Sequence, residues 1–291
     1  MTTPNALGVH ALVWAGDTSR ESVETVITRT AAAGFDLVEF SLHDSLNLDV
    51  DHARKLLADH NLDVVCSRGL AFDADVSSDD TATVERGAKL LQESLRLTHE
   101  MGGTHFTGAL FSALGKYGAP MTAAGRNNVV RVLKDLAAEA QSRSMTLGLE
   151  ICNRYETNVI NTARDALRLA DDIGEDNVLI HLDTYHMNIE ENDLVTPVYE
   201  VGERLGYVHI GENHRGYLGS GHLDFTSFFH ALAGINYTGA ITFESFSSAV
   251  VARGLSNDLA VWRNLWTDSE DLAVHARTFL QNQLHASRAA R

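Results

Sequence analysis

Glu150, Asp183, His209 and Glu244 each fall near the end of a short apolar run, and the runs share a side-chain parity. In a β-strand alternate side chains face opposite sides. Within Met145–Cys152 the apolar set is Leu147, Leu149 and Ile151, so Thr146, Gly148, Glu150 and Cys152 face the other way. Within Asn177–Thr184, Val178, Ile180 and Leu182 leave His181 and Asp183 opposite. Val208 and Ile210 leave His209, and Ile241 and Phe243 leave Thr242 and Glu244. An earlier run repeats the pattern, with Glu39 between Val38 and Phe40. One inward carboxylate at a strand end is ordinarily a structural hydrogen-bond acceptor. Three of them with an imidazole at matching depth would repel one another and shift one another's pKa values. A divalent cation resolves that repulsion. The set is hard and oxygen-rich, which suits Mn²⁺, Mg²⁺ or Co²⁺ better than thiolate-bound Zn²⁺. Neither Cys66 nor Cys152 has CxxC or CxxH spacing.

Something must hold those four side chains at one level. Eight strand-like stretches alternate with amphipathic ones: Leu7–Leu12, Phe35–Leu42, Leu62–Arg68, Thr104–Phe111, Met145–Cys152, Asn177–Thr184, Tyr207–Glu212 and Gly239–Phe246. Helices are predicted at about 19–33, 49–60, 79–102, 121–144, 161–173, 194–204 and 225–234, with a long final helix from about 255 to 286. Gly34 sits where a C-cap belongs. The unit averages roughly 33 residues, the length of a strand with its crossover helix. Eight such units in one chain predict a single α/β domain over 1–291, a (β/α)8 TIM barrel whose strand C-termini carry the chemistry. A doubly wound open sheet is the alternative, but no GxGxxG turn follows the first strand. The polar tail at 287–291 is expected to be disordered.

Composition narrows the function. Of 291 residues, 44% are hydrophobic and 21% charged, a globular balance. A net charge of −16 argues against gripping nucleic acid. Two cysteines cannot make a disulfide framework and fit a reducing compartment. No basic-then-apolar leader opens the chain and no apolar run reaches the roughly 20 residues of a membrane span, so a cytoplasmic protein with no membrane partner is expected.

The stretches LEICNRYETNVINT, HLDTYHMNIEE, GYVHIGENHRGYLGSG, FESFSS and WRNLW resemble the ketose 3-epimerases. That family includes the D-tagatose, D-allulose (D-psicose) and L-ribulose 3-epimerases among the xylose-isomerase-like barrels. The resemblance covers essentially the whole chain and is densest from 145 to 270. It implies one Mn²⁺, or else Mg²⁺ or Co²⁺, held by Glu150, Asp183, His209 and Glu244. It implies that Glu150 and Glu244 are the proton-transfer pair, and that Glu156, His186 and Arg215 bind the ketose hydroxyls and carbonyl end. It also implies a homodimer or homotetramer. The N-terminal half matches more loosely: HALVW at 10–14 resembles the family's first strand and loop, and Glu39 its second-strand acid. In loops 12–16, 66–72 and 108–117 the match is weakest, and the resemblance implies that the latter two line the far end of the sugar site, which leaves substrate preference open.

Epimerising C3 of a ketose needs a carboxyl on each face, one removing a proton and one returning it, with the enediolate charge stabilised between. The expected substrates are free ketoses: D-fructose/D-allulose, D-tagatose/D-sorbose and L-ribulose/L-xylulose. No Gly-rich phosphate cradle is evident. Aldose–ketose isomerisation uses the same enediol chemistry and is the alternative. A metal-dependent endonuclease and a non-catalytic sugar-binding protein are remoter readings. Trp14 and Cys66 are candidate linings of the sugar site, or else core fillers. His181 is expected lower in the barrel as a buried, hydrogen-bonded residue. Trp262 and Trp266, at i, i+4 on the predicted last helix, are expected in core or subunit packing.

Overall fold

The computed structural model describes residues 5–43, 48–251 and 253–289. Its strands are β1 Leu7–His10, β2 Leu37–Ser41, β3 Asp63–Ser67, β4 His105–Thr107, β5 Thr146–Glu150, β6 Val178–Asp183, β7 Leu205–Ile210 and β8 Ile241–Phe243. All eight are parallel and pair in chain order, and β8 pairs back onto β1 at Leu7↔Ile241, closing the barrel. The helices are α1 Arg20–Ala32, α2 Val50–His60, α3 Thr81–Glu100, α4 Ala123–Ser142, α5 Ala163–Ile173, α6 Thr184–Glu190, α7 Thr196–Val201, α8 Phe225–Gly234, α9 Arg253–Asp258 and α10 Ser269–Ala289. The predicted (β/α)8 barrel is therefore the fold.

Local chemistry explains where the helices begin. Ser19, Asp49, Asp80, Thr122, Thr162 and Asp224 each accept a backbone N–H of the first turn that follows. Thr162 and Asp165 complete a reciprocal capping box. Gly34, at φ +80°, turns the chain out of α1 towards β2.

Strand parity divides the interior into two regions. The helix-facing set, including Val9, Val38, Phe40, Phe106, Leu147, Leu149, Ile180, Val208 and Phe243, joins one large apolar cluster with the helices. Inside the barrel, Leu37, Val65 and Tyr207 form a small apolar plug. Above it the lining turns polar. Between β6 and β7 the register shifts, with Ile180 opposite Leu205 but His181 opposite Tyr207, so Gly206 is the extra residue. That bulge turns Tyr207 and His209 inward and sets His209 level with Asp183.

Three expectations are corrected. The long final helix is broken: α9 and α10 flank a non-helical stretch, 259–268, and Asp268 starts α10 by accepting from the N–H groups of Glu270 and Asp271. Trp262 and Trp266 lie in that stretch, Trp262 exposed and Trp266 buried. The tail is helical through Ala289, since Ser287 is buried and Arg288 donates to Asn5 Oδ1 (2.7 Å); residues 290–291 lie outside the described residues. Finally, α6 follows β6 without a loop. Its seven residues are too few to show helical periodicity, and Asp183 caps it by accepting from Tyr185 N–H (2.7 Å).

The inward layers leave no room at Gly148. A Cβ there would lie 2.3 Å from Thr107 Oγ1 and 2.7 Å from His105 Nε2, and Thr107 is tied to His181. Gly148→Ala should cost about 1–3 kcal/mol of stability through overpacking. Urea unfolding checks this, and an unchanged midpoint would contradict it.

Candidate active site

The C-terminal ends of β5 to β8 place four side chains around one point. One donor atom each from Glu150, Asp183, His209 and Glu244 lies within 4.8 Å of the others, and all four residues are buried. The sequence-predicted set is thus brought together. Two other clusters share its residues but suit a cation less well. His181 joins Glu150 and His209 from lower in the barrel, and its Nδ1 pairs with Thr107 Oγ1 (2.8 Å). Cys152 joins Glu150 and His186, but burial and nearby carboxylates push its thiol pKa well up, so it is a neutral thiol and a poor ligand.

His209 is oriented from behind. Its Nε2 lies 2.7 Å from Glu39 Oε2, and Tyr207 O–H donates to the same oxygen at 2.9 Å. Glu39 therefore fixes the ring so that Nδ1 faces Glu150 (3.2 Å), Glu244 (3.6 Å) and Asp183 (3.9 Å). A carboxylate behind a histidine is the usual support for a ligating imidazole. His10 accepts Leu12 N–H at Nδ1 (3.2 Å) and turns Nε2 towards Glu39 Oε1, 3.6 Å away.

The electrostatics are asymmetric. Burial pushes Glu150 up to about 8, helped by Glu244 and Asp183 and only partly opposed by His209. Burial also acts on Glu244, yet the Arg215 guanidinium and His209 hold that carboxyl well below the usual range. Burial raises Asp183 to about 6, against the pull of Arg215. His209 resists burial because Glu39 and Glu244 favour its charged form, and its pKa lies well above the ordinary value. Arg215 donates to Glu244 Oε2 and, at 3.2 Å, to Asp183 Oδ2. It lies between the rings of Tyr185 (3.8 Å) and Phe246 (4.8 Å).

A cleft of about 520 Å³, open solvent included, lies over this centre. Glu150, Glu156, His186, Arg215 and Glu244 line it. Asn153 N–H donates to His186 Nδ1 (3.1 Å), and burial next to Arg215 keeps the ring neutral, which puts its hydrogen on Nε2, 3.6 Å from Asp183 Oδ2 and 3.4 Å from Arg215 Nη2. Asn153 also donates to Glu156 Oε1 (2.8 Å), and burial lifts that carboxyl to about 7.

Two expected lining residues are placed elsewhere. Trp14 is buried in the main core, its indole N–H donating to Thr30 Oγ1 in α1 (3.0 Å). Cys66 is in register with Phe40 and Phe106, the helix-facing set, and its thiol meets Thr98 of α3; burial raises that thiol to about 12. His10, Ser67, Arg68, Gly69 and Phe246 also line the cleft; the sequence reading took the 66–72 loop to border the sugar but singled out none of these five residues. Ser67 was within reach, because it has the same parity as Val65 in β3. Phe246 and Gly69 lie in loops, where no periodicity reports direction.

The donor set fits a divalent cation. Three carboxylates and one imidazole with a supported ring converge on one point, and the neutralising partners present are His209 and Arg215.

The sequence matches the family described as xylose isomerase-like TIM barrel over residues 27–282. It is 48% identical over 280 residues to a ketose 3-epimerase of Arthrobacter globiformis, covering 96% of this chain and 97% of that one. It is 47% identical over 276 residues to an L-ribulose 3-epimerase of Methylomonas sp. (strain DH-1), covering 95% and 96%. A solved D-allulose 3-epimerase from Methylomonas sp., in complex with D-allulose, matches with TM-score 0.94 and 45% identity over 97% of this chain and 100% of that one.

A cation held here would need an ionised Asp183 and a free His209 Nδ1, so its binding would displace protons. With Asp183 at about 6 and His209 held in its charged form, apparent Mn²⁺ affinity should rise from pH 6 to pH 8. Calorimetry in two buffers of different ionisation enthalpy should detect the released protons; a pH-independent affinity with no release would contradict this.

Proposed function

Because this chain belongs to the ketose 3-epimerases of the xylose isomerase-like TIM barrel family and is thus an isomerase, we propose that it inverts C3 of free ketoses. The observation that carries this reading is the pair Glu150 and Glu244. They face one centre from β5 and from just beyond β8, and their surroundings drive their pKa values apart, Glu150 to about 8 and Glu244 well down. One carboxyl kept protonated beside one kept ionised is a donor beside a base.

Epimerisation removes the C3 proton and delivers a proton to the opposite face. Where C3–H points at Glu244, that carboxylate takes the proton and Glu150 gives one up; for the epimer the roles exchange. Glu150, Asp183, His209 and Glu244 would hold the cation, Mn²⁺ first, with Mg²⁺ or Co²⁺ as substitutes. When bound, it supplies Lewis-acid stabilisation of the charge that develops as C3 loses its proton. Asp183 and His209 are then ligands alone. Arg215 and the Nε2–H of His186 donate to oxygens at the carbonyl end of the sugar, and Glu156 accepts from a hydroxyl.

The cleft favours an unphosphorylated substrate. Of its arginines, Arg215 faces two carboxylates, and Arg68 donates to Leu42 O and Ser94 Oγ. The charge of Arg215 is thus already balanced by carboxylates, which leaves it a weaker partner for a phosphate than for neutral hydroxyls. D-fructose/D-allulose, D-tagatose/D-sorbose and L-ribulose/L-xylulose are the proposed substrate pairs.

Incubation with Mn²⁺ and D-fructose or L-ribulose, followed by sugar chromatography, should yield the C3 epimer. An aldose as main product would support isomerisation instead, and no epimer from any ketose tried would reject the proposal. Replacing either glutamate, Glu150→Gln or Glu244→Gln, should cut turnover by about 10²–10⁴-fold. Sugar binding without turnover in the wild type as well would make the protein a binder rather than a catalyst.

A further inference from the structure

Arg215 is an unusual residue to find where it is. Its backbone has φ +61°, a left-handed conformation that a non-glycine residue adopts at a cost. Its backbone N–H is held by Glu212 O (2.8 Å). Its carbonyl oxygen accepts from the hydroxyl of Ser245, and its guanidinium donates to Glu244. Two consecutive residues at the end of β8 therefore grip one arginine at both ends, main chain and side chain.

Ser245 is itself directed. The indole N–H of Trp266 donates to Ser245 Oγ at 2.8 Å, and both residues are buried. An indole nitrogen can only donate. Ser245 Oγ must accept from it, which leaves the hydroxyl hydrogen for the Arg215 carbonyl. Trp266 comes from the non-helical 259–268 stretch, and Ser247 ties the same stretch to the β8 end through Asn264 Oδ1. Neither Trp266 nor Ser245 lies among the residues lining the cleft.

We infer that Trp266 and Ser245 are positioning residues, which act through the backbone of Arg215 to keep its guanidinium over Glu244 and Asp183 and between Tyr185 and Phe246. The inference rests on the reading of Arg215 as a substrate-binding group. With that geometry relaxed, the guanidinium leaves its place without any loss of charge from the site. Misplacements of this kind, remote from the chemistry, weaken catalysis by up to about 10²-fold.

The test uses steady-state kinetics of the Mn²⁺-loaded protein on D-fructose, thermal midpoints and crystal structures. Trp266→Phe removes the N–H and keeps an aromatic ring; Ser245→Ala is a second, smaller change on the same relay in case the first fails to fold. Each should lower kcat/KM by about 5- to 100-fold, and the double variant should lose little more than the worse single one. In an Arg215→Ala background, Trp266→Phe should have almost no further effect. In crystals of either single variant, Arg215 should leave the left-handed region or withdraw from between Tyr185 and Phe246. An undiminished Trp266→Phe penalty in the Arg215→Ala background, full activity in both folded single variants, or an unmoved Arg215 would each overturn the inference. Loss of the epimerase reading itself is separately visible, as an inactive wild type, and leaves the crystallographic comparison to judge the relay.

Discussion

Concentrated negative charge at the mouth of the barrel is the constraint to which the rest of the molecule answers. Glu39, Glu150, Asp183 and Glu244 are all buried there, on side chains close enough to share one histidine. Taking even one carboxylate out of water costs several kcal/mol unless it is paired. His209 and Arg215 supply two positive partners for four acids, and the remainder emerges as carboxyls with raised pKa values, Glu150 and Asp183. On the proposed reading, a binding site for a divalent cation and a pair of unequal proton carriers are two consequences of the same imbalance. The chain's overall excess of acid, −16, contributes nothing specific to it; what matters is parity and depth in four adjacent strands.

The barrel beneath is built to hold that charge rather than to dilute it. Phe40, Leu149 and Phe243 and their neighbours pack outward against the helices, so the inward positions are released from core duty. Tyr207 and Thr242 lie one layer below His209; the tyrosine hydroxyl donates to Glu39 and pairs with Thr242 Oγ1 at 2.5 Å. His181 lies in that same layer, opposite Tyr207, and is neutral, its pKa pushed well down by burial and by neighbouring histidines. The bulge at Gly206 is a small irregularity with a large effect, because without it Tyr207 and His209 would change faces.

Much of this was legible before any coordinates. Eight alternations of strand and helix, with Gly34 where a C-cap belongs, announce the barrel because period and capping are local properties. Glu150, Asp183, His209 and Glu244 could be read because parity needs only near neighbours. What escaped depends on distant partners. The WRNLW stretch has a helical spacing of tryptophans, yet it is pinned by Ser245 and Ser247 from β8, some twenty residues earlier in the chain. Trp14 gave no local sign that Thr30 would draw its indole towards α1. Cys66 could have been placed by its alternation with Val65 and Ser67, and the tail at 287–289 is ordered by a contact with Asn5 at the opposite end of the sequence.

The central claim is that a cation and two opposed carboxyls share one carbon. Crystals soaked with Mn²⁺ and D-fructose test it most directly. The account predicts an anomalous scattering peak among Glu150, Asp183, His209 and Glu244, with the two glutamates on opposite faces of C3 of the sugar. No peak there, or both glutamates on the same face, would contradict it.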